Sequence, residues 1–600
     1  MRIPAALLLL VLPAAGQLSA PQLGPDDVRV SLAWSPGGTG SAFGPAVEYA
    51  QLLDQYLVVW VADDPAFGLA DGEFEVFGRL VDGSTGFPVG APLRISSMGP
   101  DGDPDHDAAS PAVAWDATHG EWLVVWAGVD GAGAPAPAQA GIYAQRLSAA
   151  PLAEIGADDF PVSAAADGQR HPAVLYDAAG DRHVVVWSAV VEYPGAGAFG
   201  SSLFSNAVLG QLLAGGSGAE VGADDVVLLE DPTGLDPCFT MYPDFALDPF
   251  DALGGELLLA CRGGICAAPY PAINVFVQRF DAASLAPLGP RSQLTSYGGA
   301  GPQPQAGPVR VAHDAASDHW LVAHRVDSAW LPGATIQATL LDGALAVLSS
   351  ATLSPPPMGY DENDADWPAV AFDPGSGRFR MAWMQVTGDV VATTAVHEHV
   401  FDGSGPLVGL PGTLPVSKPK TGIPWSTADR VVDLAAAPAR GEHLVVWSGP
   451  VGGAGGHDVR AQRLLADGEG LVASPGQLSV GAGGTQALGL DTVPALAGHP
   501  YLVLGTLGPA APGIAVDGWV LPLTHDPYLV LTLTAPNTAL HGGTLGTLDG
   551  LGRAGATLNL QPGSPPALVG LTAHHAFAAF DPLSLTVVFA SEAAPVAFVP

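Results

Sequence analysis

Two acidic segments hold the residues best suited to chemistry. Asp101-Gly-Asp-Pro-Asp-His-Asp107 places carboxylates at every second position (Asp101, Asp103, Asp105 and Asp107), and Asp361-Glu-Asn-Asp-Ala-Asp366 repeats the theme with Asp361, Asp364 and Asp366. A hard cation such as calcium wants six or more oxygen ligands, and alternating carboxylates resemble the opening of a calcium loop. No glutamate stands at the twelfth position, so the full EF-hand pattern is absent. The segments read either as calcium ligands completed by backbone carbonyls or as ordinary solvated acidic loops. His397-Glu-His399 offers two imidazoles at a spacing that can hold a metal. It lacks the HExxH helix of a metalloprotease, and its place on a rim-facing third strand makes an exposed strand the plainer expectation. Gly-x-Ser-x-Gly, phosphate-binding glycine loops and sialidase-type Asp boxes do not occur.

The elements that position these segments come from a recurring phrase. Pro111-Ala-Val-Ala-Trp-Asp116 leads, ten residues past the Asp, to Trp126; Pro172-Ala-Val-Leu-Tyr-Asp177 leads to Trp187, and Pro368-Ala-Val-Ala-Phe-Asp373 to Trp383. Pro45-Ala-Val-Glu-Tyr reaches Trp60 on the same ruler, and weaker copies end at Cys261 (ten past Asp251), His324 and Trp447. A shortened eighth copy runs from Pro494 to Leu504. Short Val-, Leu- and aromatic-rich runs bounded by Gly, Pro and Asp read as strands. Four of them at a period of about 60 residues make a propeller blade.

The fold class expected is all-β: a β-propeller of eight four-stranded blades, with seven as the alternative, plus a small β-sandwich-like C-terminal module. The orphan strand Val28–Ala33 is expected to complete the eighth blade beside Ile514–Leu521. Asp116, Asp177, Asp314 and Asp373 open tight hairpins, where an Asp side chain bonds the turn backbone; a catalytic group has no reason to recur in every blade. The recurring tryptophans read as packing between blades. Among first strands one residue departs from the pattern: Glu48, where other copies carry Ala, Leu or Val.

Arg2, the apolar run Ala5–Leu12 and the small residues Ala14-Ala15-Gly16 read as a secretory signal peptide. The expected divisions are therefore a signal peptide at 1–20, the propeller at 21–524 and the C-terminal module at 525–600. No later apolar run is long enough to span a bilayer. With 59 acidic against 21 basic residues the formal charge is −38, which repels phosphate backbones and anionic lipid and argues against nucleic-acid partners. Three cysteines, Cys238, Cys261 and Cys266, in an exported chain predict one disulfide, Cys261–Cys266 or Cys238–Cys266.

The phrases Pro-Ala-Val-Ala-Trp-Asp, Leu-Val-Val-Trp and Ile142-Tyr-Ala-Gln-Arg-Leu147 resemble a repeat common in large secreted bacterial proteins of propeller type, over most of residues 28–524. From Pro527 on, Leu529-Val-Leu-Thr-Leu, the glycine-rich 542–555 and Ala567-Leu-Val-Gly-Leu-Thr572 resemble a small β-module of planctomycete-type exported proteins. The resemblance implies a fold and an exported, extracellular or cell-surface location; it implies no activity. The function expected is a non-catalytic binding or surface-interaction protein using the long-loop face, with a polysaccharide or surface protein as partner. No cofactor is required; calcium at the acidic loops is the one candidate. The alternative is a propeller-type carbohydrate-active hydrolase or lyase. That alternative requires an unrepeated carboxylate pair or histidine at the mouth of the central channel.

Overall fold

The computed structural model describes residues 22–33, 40–129, 140–163, 168–193, 203–230, 241–248, 255–265, 272–297, 305–327, 334–353, 364–387, 393–402, 407, 414–415, 420–421, 431–451, 456–465, 471–474, 477–492, 496, 498–508, 513–517, 519–549, 553–591 and 593–600. The chain divides into two compact units, one of residues 25–464 and one that contains 465–600.

In the first unit, seven antiparallel sheets follow one another among the described residues. Their first strands are Ala42–Ala50, Ala108–Asp116, Arg170–Asp177, Met241–Asp248, Gln305–Asp314, Asp364–Asp373 and Val432–Ala437, here blades 1 to 7. Each first strand packs on the next, and Val432–Ala437 packs back on Ala42–Ala50, so the ring closes. This is the expected β-propeller.

The repeat residues explain the blade. The Asp ending the first strand holds the hairpin: Asp116 Oδ1 accepts from the amides of Thr118 (3.0 Å) and His119 (2.9 Å), and Asp177 Oδ1 from Ala179 (3.0 Å) and Gly180 (3.1 Å). The second strand is apolar on both faces because both face neighbouring blades. Leu123 and Val125 pack with Val185 and Trp187 of the next blade. Trp60, Trp122, Trp126, Trp187, Trp320 and Trp383 are fully buried, so the recurring tryptophans are packing residues.

The Gln of Ala-Gln-Arg-Leu is buried and clasps the fourth strand. Gln145 Oε1 accepts from the Asp159 amide (3.0 Å) and Gln211 Oε1 from the Asp225 amide (3.1 Å), both at left-handed residues, φ 42° and 47°. Gln462 does the same for the Asp27 amide (3.1 Å), and Asp27 has φ 53°.

That clasp explains a correction to the ring closure. The N-terminal strand Gln22–Arg29 is the fourth strand of blade 7, beside Gly456–Leu465, and there is no eighth blade among the described residues. Arg29 Nε pairs with Asp458 Oδ2 at 2.6 Å and Val30 N donates to Val459 O at 2.8 Å. Ile514–Leu521 instead folds on itself, Ile514–Val516 against Trp519–Leu521. The shortened eighth copy belongs to the second unit, where Pro500–Thr506 pairs with Thr572–Phe580 and Gly484–Asp491 with Arg553–Leu560. The boundary therefore falls near 464, not 524.

The second unit sets two sheets face to face, Leu488 and Ala556 of one against Val503, Phe577 and Phe589 of the other. Its residues Leu529-Val-Leu-Thr-Leu form a helix, Pro527–Thr534, rather than a strand. Pro527 suits a first helical position, and Asp526 caps it by accepting from the Leu529 amide at 2.7 Å. Among the described residues no helix is long and apolar enough to cross a membrane.

Cys261 is a free thiol with no exposure. It takes the tryptophan place of its second strand, among Leu257, Leu259 and Phe276, so the Cys261–Cys266 disulfide is not formed. Cys238 and Cys266 lie outside the described residues.

Candidate active site

Each of the first six blades breaks its first strand with a bulge. The ladder shifts register between Phe43 and Ala46, Ala109 and Ala112, Arg170 and Ala173, Met241 and Asp244, Ala306 and Val309, and Asp366 and Ala369. The cause is the proline of the repeat, which has no N–H to give the ladder. A bulge re-aims the side chain at its first position. Gly44, Ser110, His171 and Trp367, each just before that proline, take φ of 55°, 53°, 52° and 44°. Left-handed backbone at non-glycine residues costs of order 1 kcal/mol or more and clusters at functional sites.

These four residues line one cavity of about 630 Å3 at the mouth of the central channel, on the face of the loops joining strands two and three. That volume suits a small ligand or a few sugar units. Around the ring the cavity meets Arg310 from blade 5, Trp367 from blade 6, Asp433 from blade 7, Glu48 from blade 1, Asp107 and Ser110 from blade 2 and His171 from blade 3. Glu48, His171 and Arg310 are unmatched at their positions in the other blades, whereas Asp433 has a counterpart in Asp244 of blade 4 and Asp107 in Asp364 of blade 6. Arg310 and Asp433 stand four residues before the end of their first strands, where blades 1, 2, 3 and 6 carry Ala46, Ala112, Ala173 and Ala369 and blade 4 carries Asp244.

The electrostatics are divided. Asp433 Oδ2 accepts from the Val47 amide at 2.9 Å, which holds its carboxylate beside Glu48. Burial pushes the Glu48 carboxyl up to about 7; the Tyr49 amide, donating to Oε1 at 2.9 Å, opposes the rise, and the charge of Asp433 adds to it. Burial likewise raises Asp107 to about 7, although the Phe74 amide donates to its Oδ1 at 3.0 Å. On blade 3, burial and the charges of Arg170, Arg262 and Arg310 push His171 down to about 3, so its imidazole is neutral. Ser110 Oγ lies 3.4 Å from His171 Nδ1. Two carboxyls poised near neutrality and a neutral imidazole line the same cavity, groups suited to acid–base chemistry.

The residues expected to bind calcium are dispersed. Asp101 pairs with Arg94 (2.8 Å), Asp103 accepts from the Asp105 amide (3.1 Å), Asp105 is exposed, and Asp107 turns to Phe74 and the cavity. No three of them bring carboxylate oxygens within 4.8 Å of one another; among the described residues the group that does so is Asp116, His119 and Asp181, on the hairpin face. Asp361 lies outside the described residues. Asp364 and Asp366 fall in the first strand of blade 6, opposite Val386 and Met384.

His397-Glu-His399 is a third strand as expected, yet it is buried, not exposed. Glu398 pairs with Arg380, His397 stacks on Trp383 and His399 packs on Phe401. Burial pushes both imidazoles down to about 4, and they form no metal group.

Of the residues singled out by sequence, Glu48 and Asp107 reach the cavity. Asp433, His171, Ser110, Arg310 and Trp367 escaped notice, although a signal existed. The position before the proline reads Gly44, Ser110, His171, Tyr242, Gly307 and Trp367 while the proline itself stays constant.

No protein-family model matches the chain, and no curated protein does. Solved structures of similar fold include an ulvan lyase of a new polysaccharide lyase family, bound to GlcA(1-4)Rha3S, at 10% identity and TM-score 0.40, covering 75% of this chain and 96% of that one. The Hadza microbial sialidase Hz136 follows at 11% identity and TM-score 0.34, covering 68% and 76%. The β-propeller domain of the Trilobed protease from Pyrococcus furiosus, of open velcro topology, matches at 7% identity and TM-score 0.35, covering 71% and 95%. These likenesses are of fold.

The expectation of a non-catalytic binder is corrected here. An unrepeated carboxyl, Glu48, with Asp433 beside it, and an unrepeated histidine, His171, line the channel mouth. Solved structures of similar fold include a polysaccharide lyase, a sialidase and a glycoside hydrolase, a likeness of fold alone.

Proposed function

We propose that this chain is an exported carbohydrate-active enzyme that cleaves a polysaccharide at the mouth of its propeller channel. The observation that carries the reading is Glu48, an unrepeated carboxyl facing the cavity beside Asp433 and raised to about 7. Whether a glycosidic bond is hydrolysed or eliminated, the departing oxygen must take up a proton. A carboxyl still protonated near neutral pH supplies it. Trp367 offers a ring face for a sugar, and the left-handed bulge directs it into the cavity. The residues at 2–16, one basic group, an apolar run and small residues, support export.

The test is a reducing-end assay over a panel of polysaccharides with the native chain and Glu48→Gln. Release by the native chain, cut at least about 100-fold in the variant, is expected. Equal rates, or no release from any polysaccharide, would end the reading.

A further inference from the structure

Carboxylates outnumber basic groups 59 to 21 in this chain, so a guanidinium seldom lacks a partner. Nine arginines make ion pairs to carboxylates among the described residues. Arg79 and Arg460 donate to backbone carbonyls instead. Arg170 and Arg310 belong with these, and they are the ones at the channel mouth. Among the described residues neither pairs with a carboxylate, Nε of Arg170 is buried with no acceptor, and Arg310 spends one N–H on Val309 O at 3.0 Å. Arg310 lines the cavity, Arg170 immediately precedes the cavity residue His171, and Arg262 lies within electrostatic reach of that histidine.

Leaving guanidinium donors unpaired in a partly enclosed site is costly. In a chain of charge −38 a carboxylate partner would be easy to supply. The cations also sit on blades 3 to 5, across the channel from Glu48 and Asp433 on blades 1 and 7. A ligand spanning the mouth would put an anionic group against the arginines and its scissile bond near Glu48.

We infer that the substrate is an acidic polysaccharide whose carboxylate or sulfate group is received by Arg310, with Arg170, next in sequence to the cavity residue His171, adding positive charge. This rests on the channel being the catalytic site. Guanidinium forks bind either oxyanion bidentately. The overall negative charge opposes approach of a polyanion over long distances, but salt screens that repulsion while leaving the enclosed contact largely intact.

The experiment is affinity electrophoresis and reducing-end release at about 0.5 M NaCl, where the Debye length is about 4 Å. The carboxylate arm compares polygalacturonate, alginate and hyaluronan with methyl-esterified pectin. The sulfate arm compares chondroitin sulfate, heparin and sulfated algal glycans with their desulfated forms. Neutral xylan, galactan and cellulose complete the panel. The native chain, Arg310→Gln and Arg310→Lys are run together, with melting curves to establish that each variant is folded.

The expected result is retention by an acidic glycan of one arm, lost at least tenfold when its acidic groups are masked. Arg310→Gln loses it equally, and Arg310→Lys restores part. Retention confined to neutral glycans, acidic retention unchanged in Arg310→Gln, or no acidic retention overturns the inference. Cleavage of neutral glycans alone overturns it while the catalytic reading stands. Acidic retention without any cleavage does the reverse.

Discussion

Replacing Glu48 by glutamine should make the protein more stable and abolish its activity. The amide keeps an acceptor for the Tyr49 N–H, now 2.9 Å from Oε1, and removes the ionisation. The folded carboxyl titrates near 7 against an ordinary 4.5, principally because it is buried. A carboxyl raised by folding binds its proton more tightly in the folded than in the unfolded chain between those values. Its favourable contribution is therefore complete below about pH 4.5 and lost as pH rises through about 7. The displacement is worth at most about 3 kcal/mol, and contact with cavity water reduces that to about 1.5–3 kcal/mol.

For a unit of roughly 440 residues, with an unfolding entropy of about 2 cal/mol/K per residue, this is about 2–3 °C in Tm. Calorimetry should show Glu48→Gln melting higher than the native chain by that amount at pH 8, with the two coinciding near pH 4. A gain in stability accompanied by loss of function is the mark of a strained site. A variant less stable at pH 8, or a difference that does not change with pH, would refute the reasoning.

Three further outcomes follow from the fold. Cys261, buried and pushed up to about 12, should react with iodoacetamide only after denaturation, as read by peptide mass mapping; labelling of the folded chain would contradict its burial. Gln462→Leu leaves the Asp27 amide without its acceptor and should cost about 1–3 kcal/mol in denaturant melts, whereas no loss would mean that the N-terminal strand is not clasped. Trp126→Ala removes a fully buried ring between blades and should cost about 3–5 kcal/mol, checked by the same melts.

Much of the fold was legible because the proline, the turn Asp and the tryptophan each do one physical job at a fixed spacing. The eighth blade misled because Tyr501-Leu-Val-Leu504 carries a strand's apolar run without the features of a blade: its neighbourhood has neither a turn Asp nor a Gln clasp. Blade 4 misled in detail. Its first strand ends at Asp248, paired with Glu256, so the longer hairpin moved the ten-residue ruler onto Asp251.

The site was half legible. Glu48 stood out because it breaks the repeat within a strand. His171, Ser110 and Trp367 did not, since what directs them into the channel is the bulge imposed by the following proline, and side-chain alternation does not reveal it. Asp433 and Arg310 sit in two of the three weaker copies, where the alanine of the stronger copies was hardest to align. The acidic loop drew attention by composition, but Arg94 and the Phe74 amide had already claimed its first and last carboxylates.

The most direct test of the channel as the active site is a crystal structure of Glu48→Gln with an oligosaccharide released by the native chain. The account predicts sugar in the cavity, with one ring on Trp367 and a glycosidic oxygen within hydrogen-bond distance of residue 48. Sugar bound only on the outer surfaces of the blades, with the channel mouth vacant, would contradict it.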